Sequence, residues 1–379
     1  MNLGSQRDLF EMPRDIAYLN CAYMAPQLRR AREIGEWAVS RKSRPWEITP
    51  NDFFEDVEAV RTLFARLVGG DADGVAVVPS VSYGISVAAA NVPVREGEKI
   101  VILEDQFPSN VYPWRELASR EGASLVTVPR PEDSDWTRAL IEEIDAGTAV
   151  VAAPNCHWTD GSLVDLARVG ERAREAGAAL VVDGIQSVGA FPFDVSGVRP
   201  DFLVAASYKW LLGPYGVGFM YVDEKHRGGR PIEHNWINRH KSEDFAQLVD
   251  YQDDFQPGAR RFDVGERSNF VLLPMAAEAL RQILDWKVEN VSETIGTLTD
   301  LIEEKARERD ITTIPKERRA RHMIGLMLGP DAPDDLATRL MGQGVYVSVR
   351  GPSVRVSPHL YNTESDIDRF FDVLERVAG

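Results

Sequence analysis

The sequence predicts an α/β protein with a large domain built on a mostly parallel sheet and a smaller α+β domain at the C-terminal end. Short apolar runs alternate with helical patterns over the first part of the chain, up to Val222. That alternation then stops, and a different arrangement of helices and strands follows. A chain of 379 residues also exceeds the roughly 250 residues at which a single core stops growing.

Seven apolar runs rich in β-branched residues predict strands that are buried on both faces. They span residues 74–80, 99–105, 124–129, 148–154, 178–183, 201–207 and 216–222. One intervening segment, VDLARVGERAREAGA, places apolar residues three to four positions apart and ends near a glycine, as an amphipathic crossover helix does. Helices that connect consecutive strands in this way predict a parallel sheet.

The C-terminal third has its own order of elements. A polar segment, 227–266, is long for a connection, which is typical of a functional segment. Helical periodicity then runs from Pro274 to about Arg309. HMIGLMLG, VYVSV and SVRVS follow as predicted strands, and a last helix opens on a capping-box-like Thr363 and Asp366. We therefore predict an N-terminal segment, 1–24, that packs beside the small domain, a large domain, 25–258, and a small domain, 259–379.

Charge and composition restrict the classes of partner. The chain has 59 acidic and 43 basic side chains and a net charge of -16, which repels nucleic acid and anionic lipid. The N-terminus has no signal-like pattern, and no apolar stretch reaches membrane-spanning length. Two distant cysteines indicate no disulfide framework, and the histidines show no metal-ligand spacing. We expect a cytoplasmic protein without metal, nucleic-acid or membrane partners.

Two polar residues at strand ends are the main candidates for chemistry, because ligands of parallel sheets bind at the carboxyl ends of the strands. Asp183 ends the run AALVVD, and Lys209 follows DFLVAAS within SYKWLLGPYGVGFMYV. Taken singly, Asp183 could cap the next helix and Lys209 could extend its amine to solvent. Taken together, they match pyridoxal phosphate, which needs a lysine for its Schiff base and an acidic partner for its pyridine nitrogen.

The segment ALVVDGIQSVGAFPFDVSGVRPDFLVAASYKWLLGPYGVGFMYV resembles the signature region of class V pyridoxal-phosphate enzymes. This group includes aminotransferases, cysteine desulfurases, kynureninases and isopenicillin N epimerase-like proteins. A looser similarity extends from YLNCAYMAP to VRVSPHLYNTESDID and so covers almost the whole chain. The resemblance implies the aspartate-aminotransferase-like fold, called fold type I, and a homodimer with active sites at the subunit interface.

The resemblance also assigns roles to individual residues. It makes Lys209 the Schiff-base lysine, Asp183 the partner of the pyridine nitrogen and Gln186 a donor to the phenolic oxygen of the cofactor. The remaining cofactor contacts that it implies are Ser207, Ser82 and Tyr83 at the phosphate and Phe107 stacked on the ring. Arg355 would bind the substrate α-carboxylate, with Arg350 as the nearby competitor for that role.

The sequence departs from the family pattern in several places. The loop VSVRGPSVR lacks the cysteine that carries persulfide in desulfurases, which argues against that reaction. Tyr208 replaces the histidine before the lysine. The family asparagine near the phenolic oxygen is replaced within NCHWTDG, where either His157 or Trp158 could take over its role. A glycine-threonine pair that contacts the phosphate of the neighbouring subunit reads GERSNF, with Glu266 at the threonine position and Arg267 or Ser268 as possible substitutes.

The predicted function is therefore transamination of a small amino acid, with a keto acid as a possible second substrate. Epimerisation, racemisation or β-elimination is the alternative with the same cofactor. A non-catalytic binding protein on the same fold is the third possibility. It is disfavoured because Lys209, Asp183, Gln186 and Arg355 are all present.

Overall fold

A computed structural model of the protein describes residues 2–329 and 332–378. The strands of this part of the chain are β1 (Ala17–Tyr18), β2 (Val75–Val78), β3 (Lys99–Leu103), β4 (Ser124–Val128), β5 (Thr148–Pro154), β6 (Ala179–Asp183), β7 (Phe202–Ala206), β8 (Gly218–Val222), β9 (Thr312–Thr313), β10 (Ile324–Met327), β11 (Val345–Tyr346), β12 (Ser348–Arg350) and β13 (Ser353–Val356). The helices are α1 (Arg29–Arg41), α2 (Glu55–Leu67), α3 (Val81–Asn91), α4 (Tyr112–Glu121), α5 (Trp136–Glu143), α6 (Leu166–Ala176), α7 (Val195–Val198), α8 (Leu272–Trp286), α9 (Val288–Arg307), α10 (Leu336–Gly342) and α11 (Glu364–Ala378).

The large sheet has seven strands in the order β2-β8-β7-β6-β5-β3-β4. β3 to β7 run parallel to one another, whereas β8 runs antiparallel to both β7 and β2. Each of the seven predicted apolar runs contains one of these strands. The predicted α/β class with a mostly parallel sheet is confirmed.

The large sheet separates two hydrophobic cores. In β2, Val75 and Val77 face a core that includes side chains of α2, α6 and α8, while Ala76 and Val78 face a core that includes α3 and α4. Successive residues of a strand point to opposite faces, so a strand covered on both sides needs apolar residues at every position. This double burial is the physical reason for the continuous apolar runs in the sequence.

A second sheet of four antiparallel strands, in the order β12-β13-β10-β9, forms from the C-terminal third. The N-terminal segment contacts this region, because β1 pairs in parallel with β11. Their shared core contains Leu19, Leu326 and Phe370. At the start of α11, the Thr363 amide donates to the Asp366 carboxylate at 2.9 Å, which forms one half of the expected capping box.

The helical periodicity predicted from Pro274 onward corresponds to two helices. The helical conformation is interrupted between α8 and α9 at Lys287, which has a left-handed φ of 65°. α8 packs against α1 and α2, and its apolar residues join the core of the large sheet. The predicted domain boundary at 259 stays a prediction.

A buried ion cluster fixes the segment before α8 to the edge of the large sheet. Asp263 is fully buried, and its Oδ2 lies 2.8 Å from Nη2 of Arg61 on α2 and 2.6 Å from Nη1 of Arg267. Its Oδ1 accepts a hydrogen bond from the Val77 amide of β2 at 2.7 Å. One carboxylate thus connects a helix, a strand and a loop. Among the residues that the structure describes, no helix is long and apolar enough to cross a membrane.

Candidate active site

The candidate site lies where β2, β6 and β7 end, at the edge of the large sheet that is formed by the carboxyl ends of its parallel strands. β8 runs the other way and begins at this edge, where Gly218 pairs with both Val78 and Ala206. Asp183 is the last residue of β6, and Lys209 lies three residues beyond β7. The parallel topology therefore brings these two residues to the same edge of the sheet.

A tight turn after β7 holds Lys209 in place. The Leu212 amide donates to the Lys209 carbonyl at 2.9 Å, and the Gly213 amide donates to the Ser207 carbonyl at 2.8 Å. Leu212 adopts a left-handed φ of 54° to close this turn. A Cβ at position 213 would lie 2.8 Å from Ser207 Cβ, so the close approach requires glycine.

The Lys209 side chain is buried among aromatic rings. It is 6% exposed, and its Nζ lies 5.7 Å from the centre of the Phe107 ring and 5.6 Å from that of Tyr208. It forms no ion pair or hydrogen bond with any other described side chain. Burial lowers its pKa, and the positive charge of Arg355 lowers it further. A larger neutral fraction makes this amine a better nucleophile and proton acceptor.

Asp183 is a buried carboxylate that forms no ion pair with a described residue. It is 3% exposed, and its Oδ1 accepts one hydrogen bond, from the Ile185 amide at 3.1 Å. Burial raises the pKa of this carboxyl. The protonated ring nitrogen of pyridoxal phosphate would supply the missing positive donor, so this residue fits its expected role.

Both polar atoms of the Gln186 side-chain amide form hydrogen bonds within the protein. Its Nε2 donates to the Ala22 carbonyl, and its Oε1 accepts from Trp210 Nε1, both at 3.1 Å. His322 Nε2 donates to the Gln186 backbone carbonyl at 2.6 Å. Since an amide nitrogen carries two hydrogens, one remains to donate to a cofactor oxygen. The hydrogen bonds of Gln186 with Trp210 and His322 were not predicted from the sequence. In the case of His322, the reason is its distance from Gln186 along the chain.

The N-terminus of α3 provides a site that suits a phosphate group. Ser80 caps the helix by accepting from the Tyr83 amide at 3.2 Å, and its Oγ lies 2.9 Å from Ser82 Oγ. The free amides and the dipole of this helix attract an anion. Tyr83 donates its hydroxyl to Glu233 at 3.3 Å. Ser80 had not been predicted, although a serine directly after a strand and before a helix signals a cap.

Ser207, the other expected phosphate contact, is buried at the same edge. Its hydroxyl lies 2.5 Å from the Pro214 carbonyl oxygen and 2.9 Å from that of Val217. Both of these oxygens accept, so they compete for the single hydroxyl hydrogen. In the structure this hydroxyl therefore stabilises the turn that holds Lys209.

His157 and Trp158 point to different surroundings. His157 is buried, donates from Nε2 to the Glu104 carbonyl at 3.0 Å and stacks on Trp136 with 5.4 Å between ring centres. Trp158 instead meets the ring of Phe107 edge to face at 5.4 Å. Phe107 is also the ring beside Lys209, so of the two residues Trp158 is the one linked to Lys209 through this ring.

Arg355 and Arg350 are cations without carboxylate partners. Arg355 is 2% exposed, and its Nη1 donates to the Trp158 carbonyl at 2.6 Å, while its buried Nε has no hydrogen-bond partner. Burial and the charge of Arg350 lower its pKa to about 9. Neither arginine forms an ion pair with a described residue. An incoming carboxylate would therefore find an unused guanidinium group.

The two residues that follow Glu266 already have side-chain partners within the protein. Arg267 pairs with Asp263 in the buried ion cluster, and Ser268 donates its hydroxyl to the Phe53 carbonyl at 2.5 Å. Glu266 itself is exposed. Neither of the two expected substitutes therefore has its side chain free for a phosphate. Within the described ranges, no group of three or more His, Cys, Asp and Glu side chains could hold a metal ion.

Comparisons with known proteins agree with this geometry. A family model, Aminotransferase class-V, matches residues 47–370. The chain is 26% identical to isopenicillin N epimerase of Streptomyces clavuligerus, over 84% of each protein. It is also 26% identical to a cysteine desulfurase of an Enterobacter species, over 85% of this chain and 82% of that protein.

Solved structures show the same fold at low sequence identity. The apo cysteine desulfurase from Thermococcus onnurineus NA1 superposes with a TM-score of 0.85 at 18% identity, over 100% of this chain and 99% of that chain. The cystine C-S lyase C-DES, in complex with its product cysteine persulfide, gives a TM-score of 0.84 at 17% identity, over 96% of this chain and 98% of that chain. The family match covers most of the sequence, and the buried lysine, carboxylate and helix N-terminus fit the cofactor. The chain therefore belongs to the aminotransferase class-V family and is a pyridoxal-phosphate-dependent enzyme.

Proposed function

We propose that the enzyme transfers the amino group of a small amino acid to a keto acid. One observation supports this proposal: the Lys209 amine is buried beside the Phe107 and Tyr208 rings without an ion-pair partner among the described residues, and burial lowers its pKa. The pKa of Tyr208 is raised to about 12, and those of Cys21 and Cys156 are also raised. These groups hold their protons, so Lys209 is the principal proton acceptor beside the substrate.

Each residue of the site has a separate task in this proposal. Arg355 binds the α-carboxylate of the amino acid through its free guanidinium edge, and the Trp158 carbonyl keeps that group in position. Lys209 Nζ accepts the proton from the substrate Cα. Asp183 holds the positive charge at the ring nitrogen. When bound, pyridoxal phosphate supplies the electron sink for this chemistry.

The purified enzyme, incubated with an amino acid and no keto acid, should release no more than one equivalent of the corresponding keto acid per subunit. Continued turnover should require an added keto acid, because the cofactor must give up the amino group before the next cycle. Mass spectrometry of the products measures both quantities. Unlimited release of keto acid and ammonia without an acceptor would contradict transamination and indicate β-elimination.

Epimerisation is the second candidate, because the Tyr208 ring lies 5.6 Å from Lys209 Nζ and its hydroxyl could serve as a second proton donor. Inversion at Cα needs such a donor on the face opposite to the base. In the same incubation, the other enantiomer would then accumulate with solvent deuterium at Cα. Substitution of Tyr208→Phe would suppress this exchange only if the tyrosine donates the proton.

A persulfide-forming desulfurase reaction is not part of the proposal. The hairpin of β12 and β13 that carries Arg350 and Arg355 contains no cysteine, and Cys21 and Cys156 are both buried. A persulfide carrier must instead expose a reactive thiolate. Sustained sulfide release from cysteine and a reductant, with stoichiometric alanine, would contradict this view.

We also propose that the enzyme works as a cytoplasmic homodimer. Large aromatic side chains are exposed near the site and on α1, including Tyr23, Trp37 and Tyr215. Tyr215 contacts Tyr208 with 4.6 Å between ring centres. Exposed aromatic residues of this kind are typical of subunit interfaces. Sedimentation analysis should therefore give twice the chain mass of 42.3 kDa, and an active monomer would contradict the proposal.

A further inference from the structure

A cavity of about 580 Å³ lies between the loop after β3, the loop after β5 and the hairpin of β12 and β13. Its wall includes Gln106, Trp158, Arg350 and Ser353. Trp158 connects this cavity to the reaction site, because it holds Arg355 through its carbonyl and contacts Phe107 through its ring. Trp158 therefore borders both the cavity and the group of residues around Lys209.

The register of the four-stranded sheet places Arg350, Ser353 and Arg355 on one face. Arg350 of β12 pairs with Ser353 of β13, and Ser348 pairs with Arg355. Residues that pair directly lie on the same face of a sheet, and so do alternate residues of one strand. Arg355 also pairs with Gly325 of β10, where a Cβ would lie 2.7 Å from Asp160 Cβ. This face is therefore turned toward the loop after β5.

Several hydrogen-bonding groups of the cavity wall have no partner among the described residues. Arg350 donates to the Val349 carbonyl and lies 5.7 Å from the Trp158 ring, but it pairs with no described carboxylate. Ser353 Oγ and Gln106 Nε2 are buried and unpartnered. An unsatisfied buried polar group costs roughly 1–3 kcal/mol, so this wall is suited to a ligand that accepts hydrogen bonds.

The other charges of the cavity do not cancel Arg350. Arg130 and Asp160 also line the wall, but they neutralise each other through an ion pair of 2.6 Å. Asp105 lies at the exposed rim and forms no ion pair with Arg350. An unpaired guanidinium group therefore remains beside the two unpartnered buried groups.

The two arginines occupy different positions around Trp158. Arg355 is buried and donates to the Trp158 carbonyl, whereas Arg350 is partly exposed and lies on the cavity wall beside the Trp158 ring. Of the two, Arg350 lines the cavity, so Arg355 is left for the α-carboxylate, which is attached directly to the reacting Cα. Arg350 is then available for a second anionic group farther along the substrate.

We propose that the substrate is an amino acid with a second carboxylate, and that Arg350, Ser353 and Gln106 bind this distal carboxylate. This inference rests on the proposed transamination and specifies its substrate class. Arg350 acts here as a specificity-determining residue. Bidentate contact with a guanidinium group favours a carboxylate over an amide or an alkyl group at the same position.

Calorimetric titration of the holoenzyme with unreactive acids tests the site without any turnover. Glutarate and pentanoate have the same carbon number and differ by one carboxylate. We expect glutarate to bind about tenfold more tightly or better, in line with a charge-assisted hydrogen-bonded contact. Arg350→Leu should abolish this preference, and Arg350→Lys should retain part of it. Arg95→Leu removes a surface charge near the start of β3 and should leave the preference unchanged.

Measuring keto-acid formation from glutamate and from norvaline distinguishes a failure of the dicarboxylate site from a failure of the proposed transamination. Equal binding of the two acids, or an unchanged preference in folded Arg350→Leu, would overturn the dicarboxylate site. Faster reaction of norvaline than of glutamate would also overturn it and would leave transamination intact. If no amino acid gives a keto acid while glutarate binding still depends on Arg350, the site stands and the proposed reaction fails. Ser353→Ala, a smaller change, should weaken glutarate binding without affecting pentanoate.

Discussion

Replacement of Lys209 by alanine should lower turnover by roughly 10³-fold, within the range that a positioned proton-transfer group contributes. Its amine is buried beside Phe107 and Tyr208, and no other described amine lies in this position. Borohydride treatment of the wild-type holoenzyme should attach the pyridoxyl group to the peptide that contains Lys209. Steady-state kinetics and peptide mass mapping measure the two effects.

Lys316→Ala is the matched control for this substitution. The Lys316 side chain is 60% exposed and pairs with Asp300 at the surface, so its loss should leave turnover unchanged. A pyridoxyl label on a different lysine, or a Lys209→Ala variant with normal turnover, would refute the assignment.

Substitution of Asp263→Asn should lower the free energy of unfolding by about 3–5 kcal/mol, the usual cost of breaking a buried ion pair from one side. Asparagine keeps an oxygen that can accept from the Val77 amide, but it provides no negative charge. Arg267 would then be a buried cation without a carboxylate partner, and Arg61 would keep only its ion pair with Glu58. Urea unfolding followed by circular dichroism measures the change.

Asp71→Asn provides the comparison for this loss of charge. Asp71 pairs with Arg227 at 2.6 Å, but its side chain is 54% exposed, and exposed pairs contribute at most about 1 kcal/mol. If the two substitutions destabilise the protein equally, the buried cluster does not have the importance that its geometry indicates.

Much of the fold could be predicted because its signals are local. The apolar runs 148–154 and 201–207 reflect double burial, which leaves a trace at every residue of a strand. The strand-end positions of Asp183 and Lys209 follow directly from those runs, and parallel strands place their carboxyl ends together. The resemblance to class V enzymes then supplied roles that spacing alone could not assign.

Other features depended on contacts between residues that are far apart in the chain. Asp263 and Arg61 are separated by 202 positions, and no local pattern marks them as partners. The sequence also left the choice between His157 and Trp158 open, because adjacent residues of a loop have no fixed side-chain direction. Their surroundings in the structure distinguish them.

The sequence by itself determined the α/β class and the cofactor, and it predicted Lys209 as the Schiff-base lysine, because each depends on residue type and on spacing along the chain. Only the tertiary structure decided which polar groups remain without partners. Gln106 and Ser353 are ordinary residues in the sequence, and Arg350 was only a competitor for the α-carboxylate. A hydrogen-bonding group is satisfied or unsatisfied according to what folding brings beside it, and that depends on the packing of the whole chain.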